Sequence, residues 1–272
     1  MKSKTLIIGA CGQIGSELTH KLRAKLGVNN VIASDIKARN LDLVASGPFE
    51  IIDAKNKKQL KNCIENHDID TVYLMAALLS ATGEKFPQKA WNLNTTSLLN
   101  ILNLAKEKYI KKVFWPSSIA VFGPSTPKKN TPQQTVMEPT TVYGITKQVG
   151  ERWCAYYHKN YGVDVRSIRY PGIISWKTLP GGGTTDYAID IFHKALKDGH
   201  YECFLTEDTA LPMMYMEDAV KATLDIMKAK NSDIKIRSSY NLSAISFTPK
   251  QLASEIIKNI PSFTIAYKPD FR

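Results

Sequence analysis

Short apolar runs alternate with longer amphipathic stretches along most of the chain. The runs at 5–8, 31–34, 50–52, 71–75, 112–115 and 165–169 read as strands, being short, apolar and rich in β-branched or aromatic residues. The stretches at 14–26, 57–66, 91–108 and about 142–160 repeat apolar residues at helical spacing and read as helices. Strand and helix in repeated alternation predict an α/β fold, a doubly wound parallel sheet with helices on both faces. The pattern then changes. A glycine-rich stretch at 179–185 precedes helices at 186–197, 216–228 and 250–259 and a short strand at 201–204. This C-terminal part is expected to cap the sheet.

Of the 272 residues 43% are hydrophobic and 22% charged, enough to bury a substantial core and to exclude disorder. Lys plus Arg outnumber Asp plus Glu by 36 to 25, a net charge of +11. That excess suits an acidic partner, but the lysines are scattered in short clusters at 55–58, 111–112 and 128–129, the habit of a solvated surface. Nucleic-acid binding is not expected. Cys11, Cys63, Cys154 and Cys203 form no Cys-x-x-Cys pair and no zinc spacing, so reduced thiols and no metal are expected. Apolar runs are too short to span a bilayer. Residues 6–8 run straight into Gly9, leaving no signal-peptide core, and the expected location is the cytoplasm.

Two motifs carry the candidate chemistry. The first is Leu6-Ile-Ile-Gly9-Ala-Cys-Gly12-Gln-Ile-Gly15, a strand, a glycine turn and a helix start. Gly9 permits the sharp turn, Gly12 lets backbone approach a pyrophosphate, and Gly15 lets the helix pack close. The helix N-terminus would receive the phosphates. Asp35, at the end of the second strand, is placed to accept the ribose hydroxyls and to repel a 2′-phosphate, which favours NAD. Lys37 and Arg39 keep NADP open. Asp53 is placed either to hold the adenine amino group or to cap a turn. These features make the fold Rossmann-type, with residues 1–175 as the NAD-binding part and 176–272 as a smaller, partly interleaved capping region.

The second motif is Tyr143-Gly-Ile-Thr-Lys147 on a predicted helix, with both side chains on one face. An ammonium at Lys147 would favour the phenolate of Tyr143 and fit it to act as a general base. Alternatively, Lys147 lies at the surface beside Glu151. Ser118, after the fifth strand, is the third candidate, with Ser117 its competitor. Parallel sheets place ligands at that strand end.

Gly9, Gly12, Gly15, Ser118, Tyr143 and Lys147 resemble the extended short-chain dehydrogenase/reductase superfamily. More narrowly, Met75-Ala-Ala-Leu-Leu-Ser-Ala81, Glu138-Pro-Thr-Thr-Val-Tyr-Gly144, Arg169-Tyr-Pro-Gly-Ile-Ile-Ser175, Pro180-Gly-Gly-Gly-Thr-Thr-Asp-Tyr187 and Met213-Met-Tyr-Met-Glu-Asp218 resemble the short-chain L-threonine 3-dehydrogenases. The resemblance covers essentially the whole chain. It implies NAD-dependent oxidation of L-threonine at C3 to 2-amino-3-ketobutyrate, with Tyr143 as base, Lys147 on the nicotinamide ribose and Ser118 orienting the oxygen. It implies further cofactor contacts at Gln13, Ile14, Ala54, Ala76, Ala77, Leu78 and Ile173. Ser80, Gly183, Thr184 and Thr185 are its candidates for the substrate ammonium and carboxylate. Ser80 and Asp186 read equally as helix caps, and the glycines at 181–183 as a lid or a plain connection.

The resemblance also implies a homodimer, with a four-helix interface from the helices at 91–108 and 142–160, and metabolic coupling to a 2-amino-3-ketobutyrate CoA ligase. Chains of that family run a few dozen residues beyond Arg272. The competing readings are a nucleotide-sugar epimerase or dehydratase on the same fold and a non-catalytic NAD-binding redox sensor.

Overall fold

The computed structural model describes residues 4–177 and 183–270. The strands Thr5–Ile8 (β1), Val31–Asp35 (β2), Phe49–Ile51 (β3), Thr71–Leu74 (β4), Lys112–Ser118 (β5) and Asp164–Tyr170 (β6) alternate with helices. These are Gln13–Leu26 (α1), Leu41–Ala45 (α2), Lys57–Asn66 (α3), Ser80–Lys85 (α4), Pro87–Lys106 (α5) and Val142–Tyr161 (α6). The chain continues through Gly172–Ile174 (β7), Tyr187–Asp198 (α7), His200–Cys203 (β8), Leu211–Tyr215 (β9) and Met216–Lys228 (α8). It ends with Tyr240–Asn241 (β10), Ile245–Phe247 (β11), Pro249–Asn259 (α9) and Thr264–Tyr267 (β12).

The main sheet has seven strands in the order β10-β6-β5-β4-β1-β2-β3, and every pairing in it is parallel. This is the Rossmann-type arrangement expected from the pattern, with one strand added. β10 is only two residues long, too short to leave a periodic signal. The order reverses between β1 and β4, where the chain leaves β1 toward one edge and β4 toward the other. Parallel sheets bind ligands at the strand ends beside such a reversal.

Alternation within β1 explains both layers. Leu6 and Ile8 point into a core shared with Leu60 and Ile64 of α3 and Leu98 and Ile101 of α5. Ile7 points the other way, toward Leu18 and Leu22 of α1 and Ala219 and Val220 of α8. Helix ends are fixed locally: Thr141 accepts a hydrogen bond from the Gly144 amide at the start of α6, and Gly162 ends that helix with φ of 67°.

The C-terminal part has its own core around Tyr187, Ile191, Cys203 and Phe263. It carries a three-stranded sheet, β11-β9-β7, and the β12–β8 pair. It also returns to the main body, since α8 packs against α1 and β10 pairs with β6.

Buried charge ties these parts together. Arg166 is fully buried, pairs with Asp164 at 2.9 Å and donates to the carbonyls of Ile226 and Ala229 at the end of α8. Arg169 forms a bidentate pair with Glu151 of α6, both contacts at 2.8 Å, and the Ser117 hydroxyl donates to the same carboxylate at 2.6 Å. Glu151 is therefore not at the surface beside Lys147; it is wholly buried, because the arginine and serine replace its water. Glu151→Ala leaves Arg169 buried without its anion and is expected to cost about 3–5 kcal/mol, read by urea denaturation at unchanged slope.

Candidate active site at the strand ends

The glycine turn follows β1 at this reversal. The amides of Gly9 and Ala10 both donate to the Ser34 carbonyl at 2.9 Å, anchoring the turn to β2. Gly9 has φ of +86°, and a Cβ there would lie 2.5 Å from the Ala76 nitrogen, so the turn after β1 and the loop after β4 touch through bare backbone. A Cβ at Gly15 would lie 2.2 Å from the Gly9 carbonyl oxygen. Gly12 stands at the start of α1, whose first turn holds no acidic residue. Free N–H groups and the positive end of the helix dipole make that a place for an anion.

Asp35 lies against this turn. One carboxylate oxygen accepts from the Cys11 amide at 3.0 Å, the other from the Ile36 amide at 2.8 Å. Asp53 shapes the next loop, where its side chain accepts from the Lys55 amide at 2.9 Å. The Ala54 carbonyl accepts from Asn100 at 3.2 Å. After β4, Ala76, Ala77 and Leu78 run past the turn, and Asn94 of α5 clamps Leu78 by both its amide and its carbonyl, at 2.9 and 3.1 Å. The same Asn94 amide nitrogen donates to Thr146 of α6 at 3.1 Å.

Ser118 ends β5, where its hydroxyl accepts from the Ala120 amide at 3.2 Å, and it lies near enough to Tyr143 of α6 to lower that phenol. Ser117 points to the opposite side, into the buried Glu151 pair. Lys147 is buried, with its Nζ 2.6 Å from the Pro116 carbonyl and 5.4 Å from the centre of the Tyr143 ring. The electrostatics differ from expectation. Burial pushes the Tyr143 phenol up to about 12, and the Ser118 side chain works against that rise. Burial draws Lys147 down to about 7, opposed by the nearby Cys154 and Glu151. A lysine so buried, turned toward a backbone carbonyl, does not lower the phenol as a free ammonium would.

Residues 5–243 match the model of the NAD dependent epimerase/dehydratase family. The chain belongs to that family. A Staphylococcus haemolyticus protein named as an uncharacterized epimerase/dehydratase is 47% identical over 268 residues, 98% of this chain and 84% of its own length. The solved structure of a partial consensus L-threonine 3-dehydrogenase is 58% identical, with a TM-score of 0.95, covering 98% of this chain and 86% of that one. A monomeric L-threonine 3-dehydrogenase from a metagenome, in its apo form, is 46% identical with a TM-score of 0.93, covering 98% and 85% of the two chains.

The glycine turn fits the dinucleotide after which the NAD dependent epimerase/dehydratase family is named. Its backbone cradle would be filled by a Cβ at Gly9 or Gly15. Beside it the Gln13 side-chain nitrogen is buried without a partner among the described residues. Ile14 packs into the core behind the turn. Ile173 lies on β7, and Thr185 packs directly on that strand, since a Cβ at Gly172 would lie 2.7 Å from the Thr185 Cβ. Ser80 is the first residue of α4, so its hydroxyl is not the cap of that helix. The Gly183 amide donates to Asp186 at 2.7 Å, and Thr184 and Thr185 lie in the short turn between them. Gly181 and Gly182 lie outside the described residues. Among the described residues no group of three or more His, Cys, Asp or Glu is placed to hold a metal.

Sequence reasoning passed over Asn94, Arg169 and the inward role of Glu151. Polar and charged side chains on strongly amphipathic elements read as solvated, and the i, i+4 relation of Glu151 to Lys147 itself reads as a surface pair.

The buried lysine has a measurable signature. Lys147 sits at about 7 in the folded chain, against 10.5 for the ordinary side chain. Between those pH values the unfolded chain binds more protons, so the lysine's contribution to stability rises with pH; below about 7 its burial cost is borne in full. Lys147→Met removes the titrating group. The stability difference between variant and wild type should therefore shift in favour of wild type as pH rises from about 7 to about 10, and a pH-independent difference in denaturation would refute the assignment.

Proposed function

We propose that this protein oxidises L-threonine at C3 to 2-amino-3-ketobutyrate with NAD. The observation that carries the reading is the convergence of Ser118, Tyr143 and Lys147 on the strand ends that also hold the glycine turn. Family membership supports NAD as the cofactor, and the high identity to proteins named L-threonine 3-dehydrogenases supports the substrate.

In this reading Tyr143 takes the proton from the C3 hydroxyl while Ser118 holds the same oxygen. A phenol held near 12 is almost wholly protonated at neutral pH and as such cannot take a proton. Two positive charges brought close change that balance: a protonated Lys147 and the oxidised nicotinamide. The cofactor supplies the hydride acceptor. Gly9, Gly12, Gln13 and Gly15 would hold its phosphates, Asp35 its adenosine ribose, and the backbone of 76–78 and Ile173 its nicotinamide half. Ser80, Gly183, Thr184 and Thr185 would hold the amino-acid end of the substrate, and the scaffold fixes the approach of the reacting atoms.

The test is NADH formation from NAD and L-threonine, with NADP, L-serine and D-threonine as controls. Tyr143→Phe should lose about 10²–10⁴-fold in kcat, the range for removing a general base. Ser118→Ala should lose rate with little loss of stability, whereas Ser117→Ala should lose stability first. A wild-type protein that binds NAD yet forms no NADH from threonine would sink the substrate assignment and favour the epimerase or redox-sensor readings.

The same reading includes a homodimer through α5 and α6. These helices pack side by side and leave Trp91 and Tyr156 more than two-fifths exposed. Large apolar side chains left open on paired helices suit a four-helix interface. Light scattering at micromolar concentration should give twice the chain mass, and Trp91→Glu with Tyr156→Glu should halve it. A single-chain mass for the wild type would overturn the dimer.

A further inference from the structure

The short helix α4 touches the catalytic helix through one charged contact. The Val142 amide, the first of α6, donates to the Glu84 carboxylate at 2.7 Å across 58 residues of chain. Thr141 takes the Gly144 amide of the same turn. Two of the four N–H groups that any helix leaves unpaired at its start are thus satisfied, one locally and one from α4. The helix dipole adds to the second, since a carboxylate is favoured at an N-terminus.

Tyr143 is the next residue after Val142. A Cβ at Gly83 would lie 4.0 Å from the Tyr143 Cβ, so α4 rests against α6 beside the proposed base. Ser80 and Glu84 are four residues apart on α4, hence on one face. The loop entering α4 is held as well, since Asn94 grips Leu78 on one side and Thr146 on the other. Glu84 and Asn94 therefore tie the segment 78–84 to α6 at Val142 and at Thr146, which bracket Tyr143. Asn94 is buried within the fold, but Glu84 is exposed and holds no core residue in place. A solvent-exposed carboxylate spent on a backbone amide next to Tyr143 has its effect on the placement of that turn.

We propose that Glu84 is a positioning residue, which pins α4 to the first turn of α6 so that the Ser80 side of the site and the Tyr143 phenol keep a fixed relation. Its catalytic consequence rests on the threonine-oxidation reading above; the tie itself does not. Glu84→Ala removes the acceptor, while Glu84→Gln keeps an amide oxygen for Val142 and loses only the charge.

The experiment compares both variants with wild type in two ways. Amide exchange by mass spectrometry over residues 141–147 should be about five- to tenfold faster in Glu84→Ala, as expected for loss of a cap at a helix start, and near wild type in Glu84→Gln. Initial rates with NAD and L-threonine should show kcat falling about tenfold or more in Glu84→Ala, with KM for NAD unchanged and most of the rate restored in Glu84→Gln. Wild-type exchange in Glu84→Ala overturns the proposal whatever the rates. Wild-type kcat in Glu84→Ala, in an enzyme that oxidises threonine, overturns it whatever the exchange. A wild-type chain that forms no NADH from threonine counts against the substrate reading alone, and the exchange comparison still decides the tie.

Discussion

The Glu151 carboxylate is shut away from water and has to be paired where it lies, and that requirement fixes three elements at once. Its own helix, α6, carries Tyr143 and Lys147. The serine that donates to it, Ser117, precedes Ser118 on β5. The arginine that pairs with it, Arg169, stands on β6 and reaches on to Asn241 of β10 at 2.8 Å. A buried ion pair adds little net stability over a well-packed apolar pair, but half of one is costly. Any slip of α6 along the sheet would break it. The relation between the hydroxyl of Ser118 and the phenol of Tyr143 thus has a penalty attached to its loss, applied from beneath the site.

Above that anchor, burial works against the charges that the proposed chemistry needs. Burial disfavours both the phenolate of Tyr143 and the ammonium of Lys147. Each group needs the other charged, and neither is charged cheaply alone. A cationic nicotinamide ring would favour the phenolate and disfavour the ammonium, so the Pro116 carbonyl and the nearby Glu151 matter. The nearby Cys154 and Glu151 oppose the fall of Lys147, and the Pro116 carbonyl accepts from its Nζ, so in the proposed reaction they would hold it toward its protonated form. On the proposed reading, these two opposed influences would favour proton removal only once the cofactor is bound.

Much of the main sheet was legible because parallel strands are covered on both faces and so appear as unbroken apolar runs. The helices at 57–66 and 216–228 coincide with α3 and α8 to the residue. β3 lies one residue earlier than the pattern placed it, since Ile52 is buried although it has left the ladder. What escaped was short or charged. α2 and α4 have too few turns to show a period, and β7, β9, β10, β11 and β12 are edge or capping strands of at most five residues. The strand at 165–169 was legible but the burial of its arginines was not: Arg166 pairs with Asp164 on its own strand and donates to carbonyls at the end of α8, and Arg169 pairs with Glu151 of α6. The two motifs at 9–15 and 143–147 were legible because their chemistry depends on local spacing. Asn94 and Glu84 were not, because their partners lie 16 to 58 residues away.

The fold and the Ser118–Tyr143–Lys147 group do not by themselves choose between oxidising an amino-acid alcohol and working on a nucleotide sugar, since in either case a proton would leave the alcohol oxygen and a hydride its carbon. The choice lies with whatever holds the rest of the substrate. In this chain Thr185 is packed directly on β7, the strand that carries Ile173, and Thr184 and Asp186 share its turn. Short hydroxyls on a turn drawn in against that strand suit a ligand whose charged groups lie within a few bonds of the reacting carbon. A nucleotide sugar needs donors and stacking surfaces far from that carbon. If Thr185 holds the substrate as proposed, its placement on Gly172 speaks most directly to substrate size, and it is set by a glycine that leaves no room for a side chain between them.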